Sequence, residues 1–597
     1  MANKNVLFGG RQIKVENRSS FDKSHLHSLT SGIGTITPIL KQLVLPSSGR
    51  LSLSLHAELP PLATDAFLRT HLKVEAFYIP LRLCYAGLQS WFAGEEVYDV
   101  SSDSFVRAEL PYALVPKYYD ATGQDPAYID QGDADDKFGP GSLCDYFDAK
   151  FFLDPENDYH VDLPSPVVDR IDPFNASRQG ALHGCRLNLF PFVCYHLLYH
   201  HFYRNKSVQR PVFAPTSASD GSINEVTIHA YNLPWVQSKS KVGVVLAASS
   251  AVLDGVSPVK NYGDPDDGTW VTDDLLDGES LYNLRQRNYG DDYFTAARPQ
   301  AQAGSPVSVQ VDENGKFSIA SLRVQNQLEE FAEVNNWATP DYVQTNMARY
   351  GVSVANGVVQ KPVVLGSADF PMFTKAIEQN AQTADASSRN PFAAAGMLGA
   401  TAGRATANGS EFVCDFDVKE VGYIIVNATL VPEANYASGI SHDMRIFTHT
   451  GDLMDLPCSA LEHVGDEPIM AEELYSPAAN NRSVFGYVQR YLWHKAGSPN
   501  LVSGLYRRGR SLGAFIPQRV FEETPEISGS FLEVPKSALD DVASVSSGVS
   551  QFGVQIDCAF TFHVAEPLSE SALPALSDPA KEHGREVYLS NGGSKLA

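Results

Sequence analysis

Leu51-Ser52-Leu53-Ser54-Leu55-His56-Ala57-Glu58-Leu59 alternates apolar and polar side chains without a break. Successive side chains of a strand point to opposite faces, so this stretch can bury one face and wet the other, which a helix could not do. His71 to Tyr78 repeats the pattern, with Leu72, Val74, Ala76 and Tyr78 on one side and His71, Lys73 and Glu75 on the other. It returns near the far end in Val554-Gln555-Ile556-Asp557-Cys558-Ala559-Phe560-Thr561-Phe562-His563-Val564. A chain that begins and ends in sheet is most economically a closed β core with long excursions between its strands.

At about 150 residues per domain, a chain of 597 residues would hold roughly four domains. Linkers, low-complexity tracts and an internal repeat are all missing, so one large β domain with insertions is expected. Hydrophobic residues make up 43% and charged residues only 19%, which is ample for a core and leaves much surface to be covered in an assembly. There is no run of 18 or more apolar residues and no apolar stretch at the N-terminus, so a soluble protein made in a cytoplasm, with no membrane insertion, is expected. Seven cysteines, widely spaced and without a CxxC pair, read as reduced core residues.

Residues 1–28 are polar and mildly basic and read as an N-terminal arm. Ser31 to Leu40 predicts the first core strand, turning through Pro46-Ser47-Ser48-Gly49 into Leu51. A short helix is predicted from Cys84 to Phe92 and a longer apolar one from Leu187 to Tyr203. Two more are predicted between Leu322 and Arg349, broken at Pro340. Insertions are expected at about 84–180, 187–350 and 380–410, the last an Ala-, Gly-, Ser- and Thr-rich loop. Sheet resumes at Phe412, Cys414, Phe416 and Val418, and the apolar run Val421 to Val426 predicts a strand covered on both faces.

The net charge of −24 argues against nucleic-acid binding by the chain as a whole. Its distribution is uneven. Residues 95–172 hold 19 acids against 5 Lys or Arg, and residues 264–292 hold 9 against 2, so the acidity sits in insertions. Between Glu473 and Glu522 there is no acid, while Arg482, Arg490, Lys495, Arg507, Arg508, Arg510 and Arg519 interleave with Tyr475, Phe485, Tyr487, Tyr491, Trp493, Tyr506 and Phe515. Cations along phosphates and bases stacked on aromatic rings are how single-stranded nucleic acid is held. A subunit interface would suit the same composition. Arg482, Arg490, Tyr491, Trp493, Lys495, Arg507, Arg508 and Arg510 are the candidate nucleic-acid-facing residues.

Nucleotide-binding loops, zinc-protease and serine-hydrolase signatures are absent from the sequence, and no catalytic residue or cofactor is expected. His196 and His200, with Cys194 nearby, have metal-ligand spacing, but their helix is so loaded with aromatic residues that packing is the better reading. Asp264 to Gly268 lacks the spacing and closing Glu of a calcium loop.

Several segments resemble, in order along the chain, the major capsid proteins of the Microviridae, small single-stranded DNA phages, and in particular the gokushovirus-like branch. They are Phe21-Asp22-Lys23-Ser24-His25, Phe77 to Leu83, Phe202-Tyr203-Arg204-Asn205, Asp292-Tyr293-Phe294-Thr295, Ala381-Gln382-Thr383, Val484-Phe485-Gly486-Tyr487, Arg490-Tyr491 and Gly504-Leu505-Tyr506-Arg507. The resemblance implies a mainly β fold, an eight-stranded antiparallel jelly roll of viral capsid type over residues 29–597 with long loop and helical insertions between strands. It implies copies assembled in a bacterial host cytoplasm as a T=1 icosahedral shell around a circular single-stranded DNA genome. The implied partners are a small basic DNA-binding phage protein, a minor pilot protein and a bacterial surface receptor. The family often carries a long insertion after Asp-Tyr-Phe-Thr that forms a threefold protrusion. Here only about 25 residues separate Thr295 from Leu322, so residues 95–172 and 205–280 are the expected outer surface. A carbohydrate-binding jelly roll or glycoside hydrolase, distinguishable by turnover, and a host-attachment protein of small oligomeric state are the other classes compatible with the sequence.

Overall fold

The computed structural model describes residues 19–84, 88–94, 96–99, 104–107, 112–114, 141–148, 186–188, 190–209, 284–300, 361–378, 401–444, 466–477, 483–496, 499–544 and 548–567. Its framework is ten strands: β1 (Ser19–Asp22), β2 (His25–Ser31), β3 (Thr37–Val44), β4 (Ser47–Glu58), β5 (Thr70–Pro80), β6 (Val363–Pro371), β7 (Phe373–Glu378), β8 (Thr401–Val418), β9 (Gly422–Pro432) and β10 (Val554–Glu566). They form two antiparallel sheets. One runs β1–β10–β4–β8–β7 with β2 also on β10, and the other runs β6–β5–β9–β3.

The alternating stretches become adjacent strands. Leu51 lies opposite Phe562 and Leu53 opposite Phe560, while Cys414 and Phe412 face the same two leucines from β8. Their inward side chains form one cluster with Leu72, Val74 and Ala76 of β5 and Ile424, Val426 and Ala428 of β9. Phe562 and Phe416 stack within it at 5.6 Å. Burying a side chain of this size contributes roughly 1.5–3 kcal/mol, so the alternation itself sets strand register.

Every residue of β9 is buried, so the strand is covered on both faces as the apolar run predicts. The second cover is helix α2 (Phe190–Leu198), all of whose residues are buried, packed against α1 (Leu81–Cys84), which continues directly from β5. A π-turn, Tyr199–Tyr203, follows α2 and sets Phe202 and Tyr203 against Phe77 of β5. The long excursion between β5 and β6 thus contributes core. Tyr289, Tyr293 and Phe294 join the central cluster, and Arg287 makes a two-pronged contact with Glu75 at 2.7 and 3.0 Å.

Two boundaries differ from the sequence expectation. The arm expected over 1–28 overlaps the sheet from Ser19 onward, because β1 and β2 pair end to end along β10. The loop expected over 380–410 gives way to strand at Thr401. There the small residues serve close packing: Ala405 and Ala407 are buried, and a Cβ on Gly403 would lie 1.9 Å from the Thr64 carbonyl oxygen. The helices expected over 322–349 and the Asp264–Gly268 turn lie outside the described residues.

Candidate nucleic-acid interface

The connection from β4 to β5 organises one end of the sandwich. Leu62 and Gly403 exchange backbone hydrogen bonds, the Ala63 amide donates to Val542, and the Phe67 amide donates to Phe515 at 2.7 Å. The chain leaving β9 is held there too, since Val502 donates to the Tyr436 carbonyl and Arg519 to that of Asn435. The second half of the acid-free stretch, 499–521, is tied to this frame.

The second half makes a compact exposed loop. Gly504 and Gly509 take the left-handed conformation (φ 65° and 79°), which glycine adopts without steric cost and which turns the chain twice in a few residues. Gln518 clasps it: its Nε2 donates to the carbonyls of Tyr506 (2.6 Å) and Ile516 (3.2 Å), and its Oε1 accepts from the Arg508 amide at 3.0 Å. The clasp leaves Arg507, Arg508 and Arg510 exposed on one loop.

Their electrostatics differ. The Arg508 guanidinium lies 3.3 Å from Asp541 and borders a cleft of about 850 Å³ that Glu523, Glu526, Asp540 and Asp541 also line. The stretch is therefore acid-free in sequence but not in space. Arg507 and Arg510 have no carboxylate partner among the described residues.

Arg519 has another role. Its guanidinium sits 4.3 Å from the Phe531 ring centre, 4.4 Å from Tyr289, 5.5 Å from Phe521 and 5.6 Å from Tyr436. It donates to the Tyr436 hydroxyl at 3.2 Å and to the Phe531 carbonyl. Burial holds the Tyr289 and Tyr436 phenols above their ordinary range, so both stay neutral beside the cation. A planar cation enclosed by aromatic faces is a packing element.

In the first half, Tyr491 is only 4% exposed, with Arg490 over its ring at 5.3 Å, and burial takes that ring out of reach of a stacked base. Trp493 is half-buried, between His442 at 4.8 Å and His494 at 3.6 Å, while Lys495 is exposed. Leu492 and Ala496 line a cleft of about 800 Å³ with Asp291, Asp369 and Glu433, so this half borders acid. Arg482 lies outside the described residues. Gln518, Asp541, Phe67 and the cage around Arg519 were not found by sequence reasoning, because each acts through residues far away in the chain.

The metal-ligand spacing across α2 and the π-turn after it resolves as packing. Tyr195 is fully buried and donates to the Ile36 carbonyl at 2.8 Å, and His196 Nδ1 accepts from Arg285 Nε at 3.2 Å. Cys194 faces Cys84, and burial pushes His200 down to about 3. Among the described residues no group of three or more His, Cys, Asp or Glu is placed to hold a metal ion, and no helix is long and apolar enough to cross a membrane.

Two antiparallel sheets closed over one core, with a helical excursion covering the second sheet and a basic loop at one end, define a mainly β protein. Residues 11–123 and 155–576 match the family described as capsid protein (F protein), and the chain belongs to that family. It is 20% identical over 644 aligned positions to capsid protein VP1 of Chlamydia phage 1, covering 94% of this chain and 96% of that one. It is 21% identical over 263 positions to capsid protein VP1 of Spiroplasma virus 4, covering 44% and 46%. The resemblance to Microviridae capsid proteins is borne out, and the protein is a structural capsid protein, a component of a multimeric shell in the virion.

Proposed function

We propose that the chain is an eight-stranded jelly roll whose copies close a T=1 icosahedral shell around a circular single-stranded DNA genome, with the Arg507–Arg510 loop turned towards that genome. Strand order carries the fold reading. With β1 and β2 counted as one edge strand and β7 as a short addition, the first, eighth, third and sixth strands form one sheet and the fifth, fourth, seventh and second form the other. That winding is two Greek keys, the jelly-roll connection. The chain from Ser19 onward is one domain, and the excursions between β5 and β6 are its insertions.

Charge supports the orientation. A shell subunit of net charge −24 that carries its acids in the excursions repels stray nucleic acid, while a loop in which Arg507 and Arg510 have no carboxylate partner among the described residues favours phosphate. Arg507 and Arg510 are the principal phosphate contacts, Arg508 a weaker one, and Arg490, Trp493 and Lys495 a secondary surface. A small basic phage protein neutralises further genome charge, a minor pilot protein accompanies it, and the acidic excursions meet the host receptor. Assembly takes place in the bacterial cytoplasm. The test is particle mass by sedimentation or light scattering with 260 nm absorbance on the same peak. A DNA-containing megadalton particle is the expected result, and a monomer or small oligomer in the presence of the phage's other assembly proteins would refute it.

A further inference from the structure

All five cysteines among the described residues, Cys84, Cys144, Cys194, Cys414 and Cys558, are buried and outside any disulfide, and two of them lie sulfur against sulfur. Cys84 Sγ and Cys194 Sγ are 3.1 Å apart, both residues are 0% exposed, and 110 positions separate them in sequence. Cys84 ends α1, which continues β5. Cys194 sits mid-way along α2, which covers β9. The pair therefore lies where the long excursion leaves the sheet and returns to cover it.

We propose that Cys84 and Cys194 form a latent cystine, a covalent cross-link site that stays reduced in a thiol-rich cytoplasm and closes when the particle meets a small oxidant of the peroxide class. The sulfurs need to approach by only about 1 Å to reach bonding distance, and the gap between them is too narrow to hold another atom. One sulfur attacks the peroxide O–O bond as thiolate, giving a sulfenic acid and one water. The second sulfur displaces the sulfenic hydroxyl, which leaves with a proton as a second water. Two thiols are oxidised by two electrons, one peroxide is reduced, and one S–S bond forms.

Burial sets the rate. It holds the Cys194 thiol well above its ordinary range, which keeps the thiolate scarce, and full enclosure admits only a small reagent during local opening. Reaction within a folding or assembling subunit is slow, and exposure of the finished particle outside the cell is long. The bond would tie α1 to α2 and remove from the unfolded chain the freedom of the loop between them, a constraint that grows with loop length.

The experiment uses the whole protein, assembled. One portion is treated with hydrogen peroxide and one kept in reductant. Both are denatured, alkylated and digested, and the cysteine peptides are mapped by mass spectrometry. The expected result is a linked Cys84–Cys194 peptide pair about 2 Da lighter than the two reduced peptides together, with Cys144, Cys414 and Cys558 still alkylated. The oxidised protein should melt about 3 °C higher, and reductant should reverse both changes. Cys194→Ser should abolish the linked pair and the melting shift. Full alkylation of Cys84 and Cys194 after peroxide, or oxygen adducts on them in place of the linked pair, would overturn the proposal. The wild-type map decides this even if the variant does not fold.

Discussion

Reversing Arg507 and Arg510 to Glu tests the proposed genome-facing surface most directly. Removing one cation from a phosphate of a single strand lowers the slope of log affinity against log salt by about 0.7, so removing two lowers it by about 1.4. Over a fourfold rise in salt, the affinity of wild type should then fall by about sevenfold more than that of the double variant. Arg508 is the internal control. Its guanidinium is 3.3 Å from Asp541 with 55% of its side chain exposed, so part of its charge is already met, and Arg508→Glu alone should move the slope less than Arg507→Glu alone. The assay is fluorescence anisotropy of a labelled single-stranded oligonucleotide across a salt series, with shell formation followed by sedimentation. The loop is exposed and held by Gln518 and backbone hydrogen bonds, so assembly should persist while DNA content falls. An unchanged slope in the double variant, or an Arg508 effect equal to that of Arg507, would refute the assignment.

Arg519→Lys should cost about 1.5–3 kcal/mol in a denaturant titration, because an ammonium cannot reproduce the planar contacts and paired donors of the aromatic cage. The salt slope for DNA should stay at the wild-type value, and a reduced slope with unchanged stability would show that Arg519 contacts phosphate. Burial holds His200 near 3, below its ordinary 6.5, so the unfolded chain takes up a proton there before the folded one does. Its stabilising contribution is complete above about pH 6.5 and declines as pH falls towards 3, so His200→Gln should flatten the acid limb of a melting-temperature profile. Equal limbs in the two proteins would contradict this. Gly403→Val would drive a side chain into the Thr64 carbonyl, and a loss of about 1–3 kcal/mol or more is expected by thermal unfolding. A neutral substitution would mean that the β4–β5 connection gives way freely.

The strands were legible where one rule operated alone. Leu51–Leu59 and Val554–Val564 alternate because each has a single wet face, and pairing Leu51 with Phe562 satisfies both. Residues 401–409 read as a loop because small residues are common in loops, yet here they are what a strand needs when another backbone runs across it. The requirement comes from Thr64, more than 300 positions away, and leaves no local trace. The pairing on α2 was hidden in the same way: histidines at helical spacing are visible in sequence, whereas the proximity of Cys194 to Cys84 depends on α1 and α2 meeting over β9.

The basic stretch shows how far composition can carry a functional reading. Its seven cations are one feature in the sequence, but the fold separates the described ones by what surrounds each charge. Arg519 is drawn into a cage whose walls come from residues 289, 436, 521 and 531, and its charge serves cohesion. Arg508 is drawn to Asp541, beyond the C-terminal end of the stretch. Arg507 and Arg510 keep their charge in solvent because two left-handed glycines and the Gln518 clasp turn the loop outward at that point. A polyanion docking on this surface would find two cations that no carboxylate among the described residues pairs with, and those two residues are where the removal of a charge should register first.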